Sequence, residues 1–273
     1  MASLIQWLYE HPSMRKFEWS SEQTPGSSPL FVATTVLLYL SLTSLLHLLM
    51  RTLKPPLKPL SLLIPIHNLS LSSLSLLLAL SAALSARTHI SLHSLSHAWL
   101  FCFPQSTKPQ GPVFFWAYIF YLSKIYEFTD TLIIVLKKRP ITFLHVYHHA
   151  LVVVMCYLWL EQVQSLMVVA LVTNGLVHTF MYSYYFLCSV GFAPKWKRAV
   201  TLAQILQFVF SFCASIVMLV MHFWIDEGCK GLGAWGFNAV FNASLLLLFL
   251  NFHEKQYNAH GEGEGKGKEK KSN

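Results

Sequence analysis

The sequence predicts an all-α, polytopic membrane protein, and three observations predict it. Of the 273 residues, 54% are hydrophobic and only 12% charged, about half the charged share of an ordinary soluble domain. Apolar runs of about 20 residues, the length that crosses a bilayer core, recur along the chain. The lysines and arginines behind the net charge of +8 collect in the short segments between those runs and in the tail. That pattern reads as membrane topology and binding of anionic ligands, not nucleic acid.

Residues 1–28 are polar, with Glu10, Lys16, Glu18 and Glu22, and lack an early apolar stretch; they read as a lumenal segment with no cleavable signal. Residues 29–253 form one seven-helix membrane domain, with spans expected at 30–50, 60–84, 112–136, 141–160, 165–188, 200–223 and 232–252. The second span repeats Leu and Ser, and small residues let membrane helices approach closely. Between it and the third, 87–111 reads as a loop with a short interfacial helix near 94–103. The tail, 254–273, is rich in Gly, Glu and Lys, a composition that predicts disorder. It ends Lys270-Lys271-Ser272-Asn273, which resembles the dilysine retrieval signal of endoplasmic reticulum membrane proteins.

The basic groups Arg51, Lys54 and Lys58, then Lys137, Lys138 and Arg139, then Lys195, Lys197 and Arg198, fall in alternate loops. By the positive-inside rule the N-terminus is lumenal and the C-terminus cytosolic. Of five cysteines, only Cys102 and Cys229 then lie in lumenal loops, an oxidising compartment, so they are expected to form a disulfide. Cys156, Cys188 and Cys213 would be membrane-embedded thiols. Two glycosylation sequons, at Asn68 and Asn242, fall within spans and are expected to go unused.

The chemistry gathers in spans three to six. His145, His148 and His149 stand at i, i+3 and i+4, one face of a helix, inside an apolar run. Polar rings at that depth are expensive unless they line a site or find partners. Hydrogen-bonded packing is the plain alternative, but the neighbouring polar groups favour a site. Span three offers Lys124, Glu127, Asp130 and Thr131, span five Asn174, His178, Tyr182 and Tyr185, and span six Gln204 and Gln207. All fall toward the cytosolic half. They suggest a chamber with a polar cytosolic end and an apolar remainder. Basic residues at its mouth suit phosphates and an apolar tube suits an acyl chain, so a fatty acyl-coenzyme A fits both.

These motifs, Lys124-xx-Glu127-xx-Asp130-Thr131, His145-xx-His148-His149, Asn174-xxx-His178-xx-Met181-Tyr182-x-Tyr184-Tyr185 and Thr201-xx-Gln204-xx-Gln207-Phe208, resemble in order those of the ELO very-long-chain fatty acid elongases. The resemblance implies spans two to seven forming an inverted barrel around an acyl tunnel. It implies condensation of malonyl-coenzyme A with a fatty acyl-coenzyme A to a 3-ketoacyl-coenzyme A, in very-long-chain fatty acid and sphingolipid biosynthesis. No motif is apparent in the N-terminal third.

On this reading His148 is the nucleophile, forming an acyl-imidazole. His145 and His149 orient it or hold the thioester carbonyl, and the Asp130 carboxylate holds an imidazole N–H from behind. His178 and Asn174 stabilise an enolate. Substrate binding is assigned to Lys124, Glu127, Thr131, Lys137, Lys138, Arg139, Tyr182, Tyr185, Lys195, Gln204 and Gln207, with Lys197, Arg198 and Lys255 as further basic residues. No cofactor and no metal is expected. The expected partners are the two thioester substrates, membrane lipids and the ketoacyl reductase, dehydratase and enoyl reductase of the cycle; oligomeric state stays open, a homodimer included. Two rival readings remain. A membrane di-iron desaturase or hydroxylase also uses His-xx-His-His, but draws ligands from several such boxes, and this chain has one. A seven-span transporter or receptor would relay protons through the intramembrane charges, but there is no inverted repeat.

Overall fold

The computed structural model describes residues 11–52 and 60–258. Lys54, Lys58, Glu10 and the dilysine pair Lys270-Lys271 lie outside the described residues. A short helix α1 (Pro12–Arg15) precedes α2 (Pro29–Thr52), α3 (Leu60–Leu92), α4 (Pro112–Tyr126), α5 (Phe128–Leu136), α6 (Phe143–Glu161), α7 (Met167–Ser189), α8 (Lys197–Trp224) and α9 (Leu232–His253). Among the described residues, five stretches are helical, long and apolar enough to cross a membrane: Pro29–Thr52, Leu62–Leu92, Phe143–Glu161, Lys197–Trp224 and Leu232–Gln256. Exposed Leu37, Leu38 and Leu45 on α2, and Ile216, Val220 and Phe223 on α8, point outward, as lipid-facing side chains do. The chain has the build of a multi-pass membrane protein.

Three features differ from the expected ones. First, α3 runs eight residues beyond 84, to Leu92. Nothing between Ser85 and Leu92 breaks a helix, and its 33 residues reach about 50 Å, well past the ~30 Å hydrocarbon core. A 3-10 turn at His97–Leu100 replaces the interfacial helix. Second, the stretch 112–136 is two helices, divided at Glu127. It carries no internal Gly or Pro, so the sequence reads as continuous; the break falls where the Glu127 carboxylate turns inward. Third, α7 is long but interrupted by Asn174, His178, Tyr182 and Ser183, which lower its apolar character.

Helix contacts run in a closed series, α3 to α4 to α6 to α9 to α8 to α7 and back to α3, with α2 outside against α5 and α6. The α3–α7 contact is the most intimate. Ser72, Ser75, Ala79 and Ala82 on α3 are buried, and a Cβ on Gly175 of α7 would meet Ala79 Cβ at 2.9 Å and the Ser75 carbonyl at 3.0 Å. The Leu-Ser repeat is therefore a packing surface: serines and alanines admit the neighbour, while Leu76, Leu77 and Leu80 face outward.

Part of the polar N-terminal segment is anchored. Phe17 stacks on Tyr118, with ring centroids 5.4 Å apart, and Trp19 Nε1 donates to Glu161 at 2.9 Å. Cys102 is disulfide-bonded to Cys229, with Cα atoms 4.9 Å apart. Beside it Ser165 Oγ donates to the Lys230 carbonyl at 2.7 Å and accepts the Phe103 N–H at 3.0 Å. These bonds fasten the α6–α7 turn between two other loops.

Candidate active site

A cavity of about 770 Å³ opens among α3, α5, α6, α7, α8 and α9. At one end its wall carries Lys137, Arg139 and Lys197 with Tyr184 and Tyr185. In the middle stand His67, Asp130, His145, His148, His149, Asn174, His178 and Tyr182. Beyond them the wall is mainly apolar, through Val152, Met155 and Ala170 to Phe120 and Trp159. The last two rings are nearly parallel, 6.0 Å apart, and close-packed Leu160, Val163 and Met167 lie in the same core cluster.

The histidine box is set by the start of α6. Thr142 is the N-cap, its hydroxyl accepting the His145 N–H at 3.3 Å, the usual way to satisfy a helix's first donors. His145 Nε2 lies 2.9 Å from Thr131 Oγ1, which in turn is 2.9 Å from Tyr39 OH. The His145 and His149 rings are 4.4 Å apart, and the His148 ring lies along Phe241 at 6.3 Å. The Nδ1 atoms of His148 and His149 are buried without a hydrogen-bond partner.

Behind this band sits a buried ion pair. Lys124 Nζ is 2.7 Å from Glu127 Oε1, the side chains 2% and 1% exposed, and it donates to Asn174 Oδ1 at 3.1 Å. The ammonium also lies 4.4 Å over the Phe120 ring, a favourable cation–π position. His178 Nδ1 is 3.4 Å from the same Glu127 oxygen, close, but without hydrogen-bond alignment. One carboxylate thereby fixes the neighbourhood of both Asn174 and His178.

The cationic mouth owes its shape to the end of α5. Lys138 takes φ 54, its N–H donating to the Val135 carbonyl at 2.8 Å and that of Arg139 to Ile134 at 3.1 Å. This is a Schellman stop, normally glycine's place. It splays Lys137 and Arg139 onto the cavity wall. Partial burial first, and then the Arg139 charge, lower the Lys137 pKa from its ordinary value.

Several expected site residues stand elsewhere. Asp130 does not hold the histidine box: its carboxylate takes His67 Nε2 at 2.7 Å and the Tyr182 hydroxyl, while Thr131 partners His145. Lys124, Glu127 and Thr131, expected to bind substrate, lie behind the wall and brace the residues that line it. Lys138 is exposed beside the mouth rather than in it. Lys195 also misses the cavity, and Lys197 lines it instead. Trp196 stacks on Phe180 at 4.6 Å and meets Tyr184 edge-on, and this anchor leaves Lys195 exposed. Gln204, Gln207, Tyr182 and Tyr185 do line the cavity. Sequence reasoning missed His67 and Asn68 on α3, and Ser211, Asn238 and Asn242 on α8 and α9, all on the wall. A His-Asn pair inside an otherwise Leu-Ser span was the available signal. Among the described residues, no three or more His, Cys, Asp or Glu side chains are grouped to hold a metal.

Comparison with known proteins places this arrangement. The family model described as ELO: GNS1/SUR4 family matches residues 24–265. The chain is 33% identical over 267 residues to a fatty acid elongase 3-like protein of Arabidopsis thaliana, covering 93% of this chain and 92% of that one. It is 35% identical over 249 residues to fatty acid elongase A of Dictyostelium discoideum, covering 89% and 88%, and 30% identical over 265 residues to putative fatty acid elongase 1 of Schizosaccharomyces pombe, covering 92% and 78%. A family match over residues 24–265, with relatives matched over 89–93% of the chain, means that the chain belongs to the ELO (GNS1/SUR4) family.

Proposed function

We propose that the protein elongates fatty acids by condensing malonyl-coenzyme A with a long-chain acyl-coenzyme A. The observation that carries this reading is a single cavity that joins a cationic mouth, a band of histidines and an apolar arm. Lys137, Arg139 and Lys197 suit the phosphates of coenzyme A. The arm suits the acyl chain, and the histidines fall between them, where the thioester would lie.

His148 attacks the thioester carbonyl. The carbon–sulfur bond breaks, and coenzyme A leaves as the thiol, carrying the proton displaced from the imidazole. Malonyl-coenzyme A then loses carbon dioxide, and the electron pair remains on its C2 as an enolate. Asn174 and His178, held by Lys124 and Glu127, stabilise that charge by hydrogen bonding. C2 attacks the acyl carbonyl, the carbon–nitrogen bond breaks, and a proton from solvent restores the neutral imidazole. The product is a 3-ketoacyl-coenzyme A, which a ketoacyl reductase, a dehydratase and an enoyl reductase must then process. Neither step calls for a cofactor or a metal.

In this reading α4 with α5 forms one span and α7 another. Together with the five apolar helices they make seven, and the closed series α3, α4, α6, α9, α8, α7 is the barrel around the acyl tunnel. The cationic mouth faces the cytosol, the disulfide and N-terminus face the lumen of the endoplasmic reticulum, and the product class serves very-long-chain fatty acid and sphingolipid synthesis. The chain works alone or as a homodimer.

The test is release of labelled carbon dioxide from malonyl-coenzyme A by the purified chain in lipid nanodiscs. Release should require an acyl-coenzyme A and fall about 100-fold or more in His148→Ala. Intact mass after exposure to acyl-coenzyme A alone should show one acyl adduct. Condensation without any adduct, or undiminished by His148→Ala, removes the covalent step, and no acyl-dependent release removes the reading altogether.

A further inference from the structure

The arm beyond the histidines is not uniformly apolar. Asn238 of α9 lines it, is 2% exposed, and its Oδ1 is buried with no hydrogen-bond partner. The other polar groups nearby are mostly answered from within the protein. Thr173 Oγ1 turns back onto the Val169 carbonyl at 2.9 Å, Asn174 accepts from Lys124, and Asn242 Nδ2 donates to Ser211 Oγ at 3.1 Å. Trp159 Nε1 is also unpartnered, but it lies at the far end. A buried amide facing an alkyl chain leaves its hydrogen bonds unmade, so the position works against an all-hydrocarbon ligand.

The depth of Asn238 follows from the helix register. α6 and α9 run antiparallel, the Phe241 ring lying along that of His148 at 6.3 Å and Gly231 packing on Val163 and Gln164. Interpolation places Asn238 level with Val152 and Val153, four to five residues beyond His148. At ~1.5 Å per residue that is about 7 Å. A saturated chain advances about 1.25 Å per carbon, from ~1.5 Å bonds and angles near 111°. An acyl group on His148 therefore passes Asn238 about five or six carbons on, near C6.

We infer that Asn238 is a specificity-determining residue, and that the substrate class includes acyl chains bearing a hydroxyl near C6. A hydroxyl answers the amide whichever way it is turned, donating to the oxygen or accepting from the N–H₂. The inference rests on the reading of this cavity as an acyl-coenzyme A site.

The experiment is a binding scan on the full chain in nanodiscs, independent of turnover. Hexadecanoyl-coenzyme A, unsubstituted or hydroxylated at C3, C6, C9 or C12, competes with a fluorescent acyl-coenzyme A. The expected result is a maximum at C6, about tenfold tighter than the unsubstituted chain. Asn238→Leu should erase that preference and bind the unsubstituted chain more tightly than wild type does. Asn238→Ala, a smaller perturbation, should erase it too, and serves if the Leu variant fails to fold. A flat ranking, as an ordered water on Asn238 would give, a maximum at another carbon, or a C6 preference that survives both substitutions overturns the inference. Failure of all five ligands to bind would instead overturn the acyl-coenzyme A reading.

Discussion

His67 Nε2 lies 2.7 Å from Asp130 Oδ1, and the Tyr182 hydroxyl donates to the other carboxylate oxygen. On its far side His67 Nδ1 is 3.2 Å from Tyr126 OH. One carboxylate thus joins α3, α5 and α7 at the cavity wall. Removing its imidazole partner with His67→Leu should destabilise the protein by about 2–3 kcal/mol, because half the carboxylate is left without a donor. His67→Gln keeps a donor and should recover much of that loss. Thermal melts of the two variants in one detergent check the order; equal melting points would show that the bond contributes little.

The Lys124–Glu127 pair predicts non-additivity. Lys124→Met strands a buried carboxylate and should cost about 3–5 kcal/mol. Adding Glu127→Leu removes the stranded charge, so the double variant should be more stable than Lys124→Met alone. Both should lose condensation, since Asn174 and His178 lose their brace. A double variant that is the less stable of the two would contradict the geometry.

Gly175 predicts a steric limit. Even an alanine Cβ there meets Ala79 at 2.9 Å and a backbone carbonyl at 3.0 Å, and backbone cannot swing aside as a flexible side chain can. Gly175→Leu should separate α3 from α7 and abolish both folding yield and activity, read by size-exclusion profile and carbon dioxide release. Gly236, with open space around its Cβ position, is the control, and Gly236→Ala should be near neutral.

The disulfide closes a loop across a sequence separation of 127. Replacing both cysteines by serine should lower stability by about 2–4 kcal/mol. Peptide mapping without reductant should show Cys102 joined to Cys229, with Cys156, Cys188 and Cys213 free.

Lys138 holds φ 54, a conformation that glycine adopts at no steric penalty. Lys138→Gly should therefore raise stability by up to about 1 kcal/mol. Because Lys138 stands outside the cavity, its KM for acyl-coenzyme A should scarcely change, whereas Lys137→Gln, on the wall, should raise that KM.

What the sequence disclosed follows from how local each signal is. The box at His145, His148 and His149 was legible because helical spacing alone puts three rings together, and five of the expected spans were legible because apolar length is a local property. The role of Asp130 was not. Its depth matched His145, but depth fixes only one coordinate, and the imidazole that reaches it comes from α3, 63 residues earlier in a stretch that reads as low complexity. The same limit hid Asn238 and Asn242, whose amides look like ordinary helix bridges until a cavity is seen beside them. Lys195 and Lys197 are two residues apart, and only the anchoring of Trp196 decides which of them faces inward. The break at Glu127 has no propensity cause and belongs to the ion pair it serves.

Among the described residues, the stacked Phe120 and Trp159 rings, with the α6–α7 turn bolted behind them by Ser165 and the disulfide, close one end of this chamber, and Lys137, Arg139 and Lys197 stand at the other. On the proposed function, traffic past those three side chains is sequential. The first coenzyme A backs out before malonyl-coenzyme A steps in, and the finished chain leaves by the path it entered. Double-displacement kinetics follow, with free coenzyme A obstructing the threshold, so turnover in a cell would track how quickly the spent carrier is cleared.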